Sequence, residues 1–99
     1  MRIELTPLAK RQPRHIIEYG IKRFGKDAAE QTAGKVRRMI DRDLATFPSA
    51  GTYHEDRDIF ERAVSGAPFV ILYRYPHGSE RLTVLAIFGH SQNRDSLAG

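Results

Sequence analysis

The segment Phe47-Pro48-Ser49-Ala50-Gly51 separates two parts of the chain that have different periodicities. Proline disfavours the helical conformation in the residue before it, and serine and glycine are common in turns. A helix that reaches this segment therefore ends there. Before residue 47 the apolar residues recur at helical spacing, and after residue 58 they alternate as in strands. We interpret the segment as the joint between a helical hairpin and an antiparallel sheet.

The chain is predicted to begin with a short strand and a helix. Residues 2–6 alternate between polar and apolar types, as in a half-buried edge strand. Thr6 followed by Pro7 is a typical helix start. Pro13 predicts a kink or a restart near Gln12, because an internal proline removes a backbone hydrogen bond. The apolar face of this helix comprises Ala9, Pro13, Ile16, Ile17, Gly20, Ile21 and Phe24.

A second helix is predicted to run antiparallel to the first. Gly25 is well placed to end the first helix, and Asp27 with Glu30 resembles a capping box that opens the next. The second helix has an apolar arc of Ala29, Ala33, Val36, Met39, Ile40 and Leu44. A polar row on another face contains Gln31, Lys35, Arg38 and Arg42. Two distinct faces indicate one side for the core and one for solvent or a partner.

Three β-rich runs follow a charged connection at residues 54–58. They span residues 59–64, 69–75 and 82–88, and their short connections predict an antiparallel meander with the middle run in the centre. The predicted fold is α+β: an N-terminal strand, an antiparallel helical hairpin and a three-stranded antiparallel meander. Residues 1–99 are predicted to form a single domain with a polar tail from about residue 91.

Composition restricts the class of protein. The chain has 99 residues, 40% of them hydrophobic, which suits one compact core. It has no cysteine and no apolar window near the roughly 20 residues that span a bilayer, so we expect a cytoplasmic protein. A net charge of +4 favours acidic partners such as nucleic acid or an acidic protein.

Few residues are spaced for catalysis or metal binding. His54, Glu55, Asp56 and Asp58 are ligand types, but consecutive loop residues lack the spacing of a metal site. Neither a Ser-His-Asp arrangement nor a phosphate-binding glycine loop is present. We therefore predict no metal, no cofactor and no autonomous hydrolase.

The order of these features resembles a known family. The similarity rests on Ala9, Ile16, Tyr19, Val36, Ile40, Leu44, the segment 47–51, the Tyr73-Arg74 pair, the run 84–90 and Arg94. This pattern is similar to the ParE/RelE superfamily of toxins from bacterial type II toxin–antitoxin modules. The resemblance implies the same α+β fold and a cognate antitoxin as partner.

The superfamily has two branches with different actions. RelE-like members cut messenger RNA on the ribosome, and ParE-like members are associated with poisoning DNA gyrase. RelE-like nucleases commonly carry an arginine just after the first aromatic residue of the central strand, where this chain has Val70 after Phe69. The tail Asp95-Ser96-Leu97-Ala98-Gly99 also lacks their terminal tyrosine or histidine. The resemblance therefore favours the ParE-like branch, with a ParD-like antitoxin, DNA gyrase as target and no catalytic residue.

Two alternatives remain open at this stage. A RelE-like nuclease would use His90, Arg94, Arg74 and Arg57, with Tyr75 as a further candidate, although His90 and Arg94 are equally suited to capping the last strand. A nucleic-acid-binding module would use the basic row of the second helix. For a protein partner, the candidate contact residues are Ile17, Ile21, Lys35, Arg38, Arg42, Arg74 and Arg94, and Met39 is a further apolar candidate.

Overall fold

The helices of this protein lie on one face of a single five-stranded sheet. The computed structural model describes residues 1–89, without the side chains of residues 13, 16, 17 and 19. The chain begins with strand β1 (Arg2–Leu5) and continues into helices α1 (Pro7–Phe24) and α2 (Lys26–Arg38). A π-helical turn (Met39–Asp43) and the short helix α3 (Leu44–Thr46) extend α2 without a break.

The second half of the chain supplies the other strands, β2 (Thr52–His54), β3 (Ile59–Ala63), β4 (Phe69–Arg74) and β5 (Arg81–Gly89). The strand order is β1-β5-β4-β3-β2, so β4 is central, as predicted. Strands β3, β4 and β5 form the predicted antiparallel meander, whereas β1 pairs with β5 in parallel. The first strand and β5 are therefore neighbours, although most of the chain separates them.

The core lies between the helices and one face of the sheet. Ile71 and Tyr73 of β4 face the helices, together with Leu82 and Val84 of β5. The apolar arc predicted for α2 is confirmed, because all six of its side chains are at most 8% exposed. Full burial of an aliphatic side chain contributes about 1.5–3 kcal/mol. No helix within residues 1–89 is long and apolar enough to cross a membrane.

Two side chains of the sheet hold the joint at residues 47–51. Nη1 of Arg62 donates to the carbonyl oxygens of Asp43, at 3.3 Å, and Phe47, at 3.0 Å. Each of these carbonyls also accepts a backbone N–H, that of Asp43 from Phe47 at 3.0 Å and that of Phe47 from Ala50 at 3.1 Å, so Arg62 adds a charged donor at the end of the helical segment. The hydroxyl of Tyr73 donates to the carbonyl oxygen of Ala50 at 3.3 Å. The predicted end of the helix is thus confirmed, and it is fixed to β3 and β4.

Gly51 is needed for space. A Cβ atom at this position would lie 3.0 Å from the carbonyl oxygen of Glu61 and 3.3 Å from the hydroxyl of Tyr73. The chain passes so close to β3 that a side chain at residue 51 would require the carbonyl of Glu61 to shift by a few tenths of an ångström, which glycine avoids.

The start of α1 follows the sequence prediction, but its course does not. Thr6 is the N-cap, since its Oγ1 accepts the N–H of Ala9 at 3.2 Å and donates to the carbonyl of Leu85 at 2.8 Å. The predicted restart near Gln12 is wrong, because α1 continues as one helix through residue 13. In this turn Oε1 of Gln12 accepts the N–H of Ile87, which ties the helix to β5.

Two other local predictions are wrong. The N-cap of α2 is Gly25, and no side chain caps this end, so Asp27 and Glu30 form no capping box. Gly25 has a φ of +92°, which favours glycine, and its N–H donates to the carbonyl of Ile21 at 3.2 Å. Residues 52–54 form strand β2, which the sequence analysis did not predict and which overlaps the predicted connection at residues 54–58. A run of three residues is too short to show a periodicity.

The two long helices approach closely at Gly20. A Cβ atom on Gly20 would lie 3.0 Å from Cβ of Ala29 and 3.4 Å from its Cα. Both residues are buried, so neither helix can move toward solvent without losing contact with the core. This contact sets the distance between α1 and α2.

Gly20→Val is expected to lower the free energy of unfolding by about 1–3 kcal/mol, because the added methyl groups force the helices apart. Gly34→Val is the matched control, since a Cβ at Gly34 has no atom within 4 Å. Urea denaturation followed by circular dichroism measures both values. Equal effects of the two substitutions would contradict the close approach.

Arg62→Met is expected to cost about 1.5–3 kcal/mol, because two carbonyls at the helix end lose a charged donor. Arg37→Met, on the exposed side of α2, should change stability by less than about 0.5 kcal/mol. The same denaturation experiment compares them. A loss below that of Arg37→Met would show that Arg62 does not hold the joint.

Candidate functional site

An apolar patch remains uncovered at the end of α1. Ile21 is 45% exposed and Phe24 is 69% exposed, and we call these two residues the α1 patch. The guanidinium carbon of Arg23 lies 5.9 Å from the centroid of the Phe24 ring. The side chain of Ile17, the other predicted contact on this helix, is outside the described residues. Met39 is 3% exposed and belongs to the core, so its assignment to a partner surface is wrong.

The polar row on the second helix has two different environments. Nζ of Lys35 donates to the carbonyl oxygen of Gly66 at 2.8 Å and so secures the turn between β3 and β4. Arg38 and Arg42 are exposed, and Nε of Arg42 lies 3.6 Å from Oδ1 of Asp43. The contact of this row with a partner stays a prediction, and its two arginines are the better placed members.

Arg74 binds the turn between β2 and β3. Its Nε donates to the carbonyl oxygen of Asp58 at 3.1 Å, and its Nη2 donates to that of Arg57 at 3.3 Å. Nε also lies 3.9 Å from Oδ2 of Asp58. Asp58 has a φ of +55°, a conformation that aspartate and asparagine tolerate better than most residues. Arg74 therefore stabilises an unusual turn, which engages its guanidinium within the chain.

Of the other residues in the predicted nuclease set, Arg57 lies in the turn that Arg74 binds, and the remaining two are not described. Nε of Arg57 lies 3.8 Å from Oδ2 of Asp56, and both side chains are more than half exposed. His90 and Arg94 lie outside the described residues. Within residues 1–89, Arg57 and Arg74 thus meet at the β2–β3 turn, but their described contacts are with that turn itself.

Val70 lies on the face of the sheet opposite to the helices. It is 3% exposed and packs with Ala86 and Phe88 in a small apolar cluster, against which Leu72 is partly buried. The position that carries a cation in RelE-like nucleases is therefore filled by a buried aliphatic side chain here. In the described part of the chain, no three histidines, aspartates or glutamates are grouped to hold a metal ion.

Sequence reasoning missed a cluster of aromatic side chains beside the joint. Tyr53 pairs across the sheet with Phe60, and Phe60 pairs with Tyr73. The rings of Tyr53 and Phe60 are 4.9 Å apart, and those of Phe60 and Tyr73 are 5.3 Å apart. A cavity of about 260 Å³ lies beside them, lined by Ser49, Tyr53, Asp58, Phe60, Tyr75 and His77. We call this cavity the aromatic pocket.

Two tyrosines near the aromatic pocket have raised pKa values. The pKa of Tyr53 is raised mainly because its hydroxyl donates to Oδ1 of Asp58 at 2.8 Å, with smaller contributions from desolvation and from the charges of Asp58 and Glu55. Burial raises the pKa of Tyr73, and the nearby Arg62 opposes this effect. Both hydroxyls therefore remain protonated donors at neutral pH.

Solved structures with the same fold come from toxin–antitoxin systems. A chain of the chromosomal ParDE system from P. aeruginosa matches with a TM-score of 0.73 and 17% identity, over 90% of this chain and 95% of that one. The RelBE2 toxin–antitoxin complex from Mycobacterium tuberculosis matches with a TM-score of 0.62 and 14% identity, over 90% and 96%. The YoeB/ParE toxin from Agrobacterium tumefaciens gives 0.62 and 17%, over 91% and 99%.

These likenesses confirm the predicted α+β toxin fold, and the sequence itself assigns the family. A comparison with curated proteins found no significant match. The profile of the ParE toxin of the type II toxin–antitoxin system parDE, however, matches residues 3–94. That range contains all of the described helices and strands except the first residue of β1. The chain therefore belongs to the ParE toxin family of type II toxin–antitoxin systems.

Proposed function

We propose that this toxin inhibits DNA gyrase through a protein–protein contact and is held inactive by a ParD-like antitoxin. The observation that carries the proposal is the environment of Val70, a 3% exposed aliphatic residue where a nuclease of this fold would carry a cation. Without that cation, the charge that develops on a scissile phosphate loses its stabilisation. Family membership and the absence of cysteine in the chain support an antitoxin partner and a cytoplasmic site of action.

The α1 patch is the surface that we assign to the antitoxin. A basic chain of net charge +4 attracts an acidic or mixed-charge partner, and the exposed Ile21 and Phe24 provide apolar contacts for an amphipathic helix. Arg38 and Arg42 are exposed on the neighbouring helical segment and are suited to pair with acidic side chains of the same partner.

The edges of the sheet offer a second type of contact. Among the described strands, β2 pairs only with β3, and all three of its residues are exposed. An extended segment of the antitoxin can add a strand at such an edge through backbone hydrogen bonds.

A RelE-like nuclease is the second candidate, and one group of residues favours it. The paired residues Arg2 and Arg81 are exposed at the end of the sheet, with side chains 68% and 60% exposed. Glu4 lies 3.9 Å from Arg2 and 3.5 Å from Arg81 and offsets part of their charge. The two guanidinium groups are suited to contact phosphate, and Glu4 is the carboxylate described beside them.

Purified toxin is expected to inhibit gyrase supercoiling of a relaxed plasmid, and addition of the antitoxin should restore it. Topoisomerase I from the same host serves as the control enzyme and should be unaffected. Unchanged supercoiling at an excess of folded toxin would refute the gyrase target. Cleaved transcripts in cells that express the toxin, together with normal plasmid topology, would instead establish the nuclease.

Ile21→Ser and Phe24→Ser are each expected to weaken antitoxin binding by about tenfold, since each removes an apolar contact from the centre of the patch. Leu8→Ser is the matched control, because Leu8 is also exposed, at 37%, but lies at the opposite end of α1. Isothermal titration calorimetry with the purified antitoxin measures the affinities. Equal losses for Leu8 and the patch residues would place the antitoxin elsewhere.

A further inference from the structure

The aromatic pocket has fixed walls. The ring of Tyr73 is buried, its hydroxyl is anchored on Ala50, and the ring of Phe60 stacks on it with an interplanar angle of 11°. Tyr53 is tilted by 44° against Phe60 and is 48% exposed, so part of its surface faces solvent. Tyr75 completes the lining and is partly buried. The rings are thus ordered by contacts inside the protein before any ligand binds.

A carboxylate lies in the same lining. Oδ1 of Asp58 accepts the hydroxyl of Tyr53 at 2.8 Å. Oδ2 lies 3.9 Å from Nε of Arg74, which is beyond hydrogen-bonding distance. The donors of Arg74 are directed at the backbone carbonyls of Asp58 and Arg57 instead. Asp58 is therefore held in place while its outer oxygen can accept a further donor.

The surroundings of the pocket select the charge of its ligand. The turn carries three carboxylates, those of Glu55, Asp56 and Asp58, against two guanidinium groups, that of its own Arg57 and that of Arg74, which binds it. It is therefore net acidic in a protein that is otherwise basic. The faces of aromatic rings attract cations, and a carboxylate pairs with the two parallel N–H groups of a guanidinium. A phosphate-bearing ligand would be repelled by this net acidic turn, and an apolar side chain would offer no hydrogen-bond donor to Oδ2 of Asp58. Arginine suits both the aromatic rings and the carboxylate, because its planar guanidinium stacks on a ring and donates two parallel hydrogen bonds to a carboxylate.

We propose that the aromatic pocket binds an arginine side chain of the antitoxin. The identity of the partner rests on the proposed function. The identity of the bound group, a guanidinium, rests on the pocket alone. The pocket adjoins the joint after α3, whereas the α1 patch adjoins the start of α2. The helical segment between them has 21 residues, from Lys26 to Thr46, which corresponds to about 30 Å. An antitoxin that reaches both sites needs an extended stretch of about ten residues.

Binding of a guanidinium is tested first on the toxin alone. N-acetyl-arginine amide is titrated into the protein, and NMR measures the chemical shifts. Saturable shifts at Tyr53, Phe60 and Tyr75 are expected, and the neutral isostere N-acetyl-citrulline amide should not cause them. Asp58→Asn should weaken probe binding about threefold or more, because asparagine tolerates the positive φ and still accepts the tyrosine hydroxyl but carries no charge. Tyr53→Leu should weaken it similarly by removing one ring.

Asp56→Asn is the matched control, since it removes a carboxylate from the same turn outside the pocket lining. It should leave probe binding within about twofold of the original. Equal shifts with arginine and citrulline amides, shifts outside the pocket, or equal losses for Asp56→Asn and Asp58→Asn would overturn the guanidinium site. Stronger shifts with uridine monophosphate than with arginine amide would overturn it in favour of a nucleobase site.

The partner is tested by calorimetry with the antitoxin. Asp58→Asn is expected to weaken the complex about fivefold and Asp56→Asn less than twofold, and replacement of the responsible antitoxin arginine by citrulline in a synthetic peptide should remove the difference. If the unmodified toxin binds its antitoxin and Asp58→Asn binds equally well, the antitoxin does not use the pocket. If the unmodified toxin binds no antitoxin, the proposed function fails and so does this choice of partner, while the probe experiment still decides the guanidinium site.

Discussion

The hydrogen bonds from Arg62 to the carbonyls of Asp43 and Phe47 connect the end of the helical layer to the sheet. A helix end carries partial negative charge, and each of these carbonyls has a second lone pair beside the one that accepts a backbone N–H, so a guanidinium is a favourable partner there. Tyr73 reinforces the joint at Ala50, Phe60 stacks on Tyr73, and Tyr53 contacts Phe60. One chain of contacts thus leads from the last helical turn to the aromatic pocket, and the shape of that pocket depends on where the helix ends.

The parts of the fold that follow from local periodicity were predictable. The apolar arc of α2, the Thr6 cap and the alternation in β4 need only neighbouring residues, and all three are present. Features that depend on distant residues were not predictable. The parallel pairing of β1 with β5 joins Arg2 to Arg81, and the glycine at position 51 is required by Glu61 and Tyr73. Strand β2 exists because β3 offers it hydrogen bonds, and its three residues carry no pattern of their own.

The candidate functional residues show a similar division. Ile21 was predicted as a contact from its place at the margin of an apolar stripe, and it is exposed. The sequence shows which residues are charged but not which groups they contact. Lys35 and Arg74 both donate to backbone carbonyls of turns. The aromatic pocket is lined by side chains from the joint, β2, the β2–β3 turn, β3 and the segment after β4. Its first and last members, Ser49 and His77, are 28 residues apart. Only the register of the strands brings them together.

The parallel pair of β1 and β5 has a consequence for synthesis of the chain. β5 is the neighbour of both β1 and the central β4, and it is the last of the described strands to leave the ribosome. Until it emerges, β1 has no partner, the carbonyl that receives the Thr6 hydroxyl is missing and one edge of β4 is bare. Contacts between distant residues form slowly because a long loop must close first. A nascent chain that stops before residue 81 therefore lacks the strand that joins β1 to β4, so the sheet can be completed only after β5 has been translated.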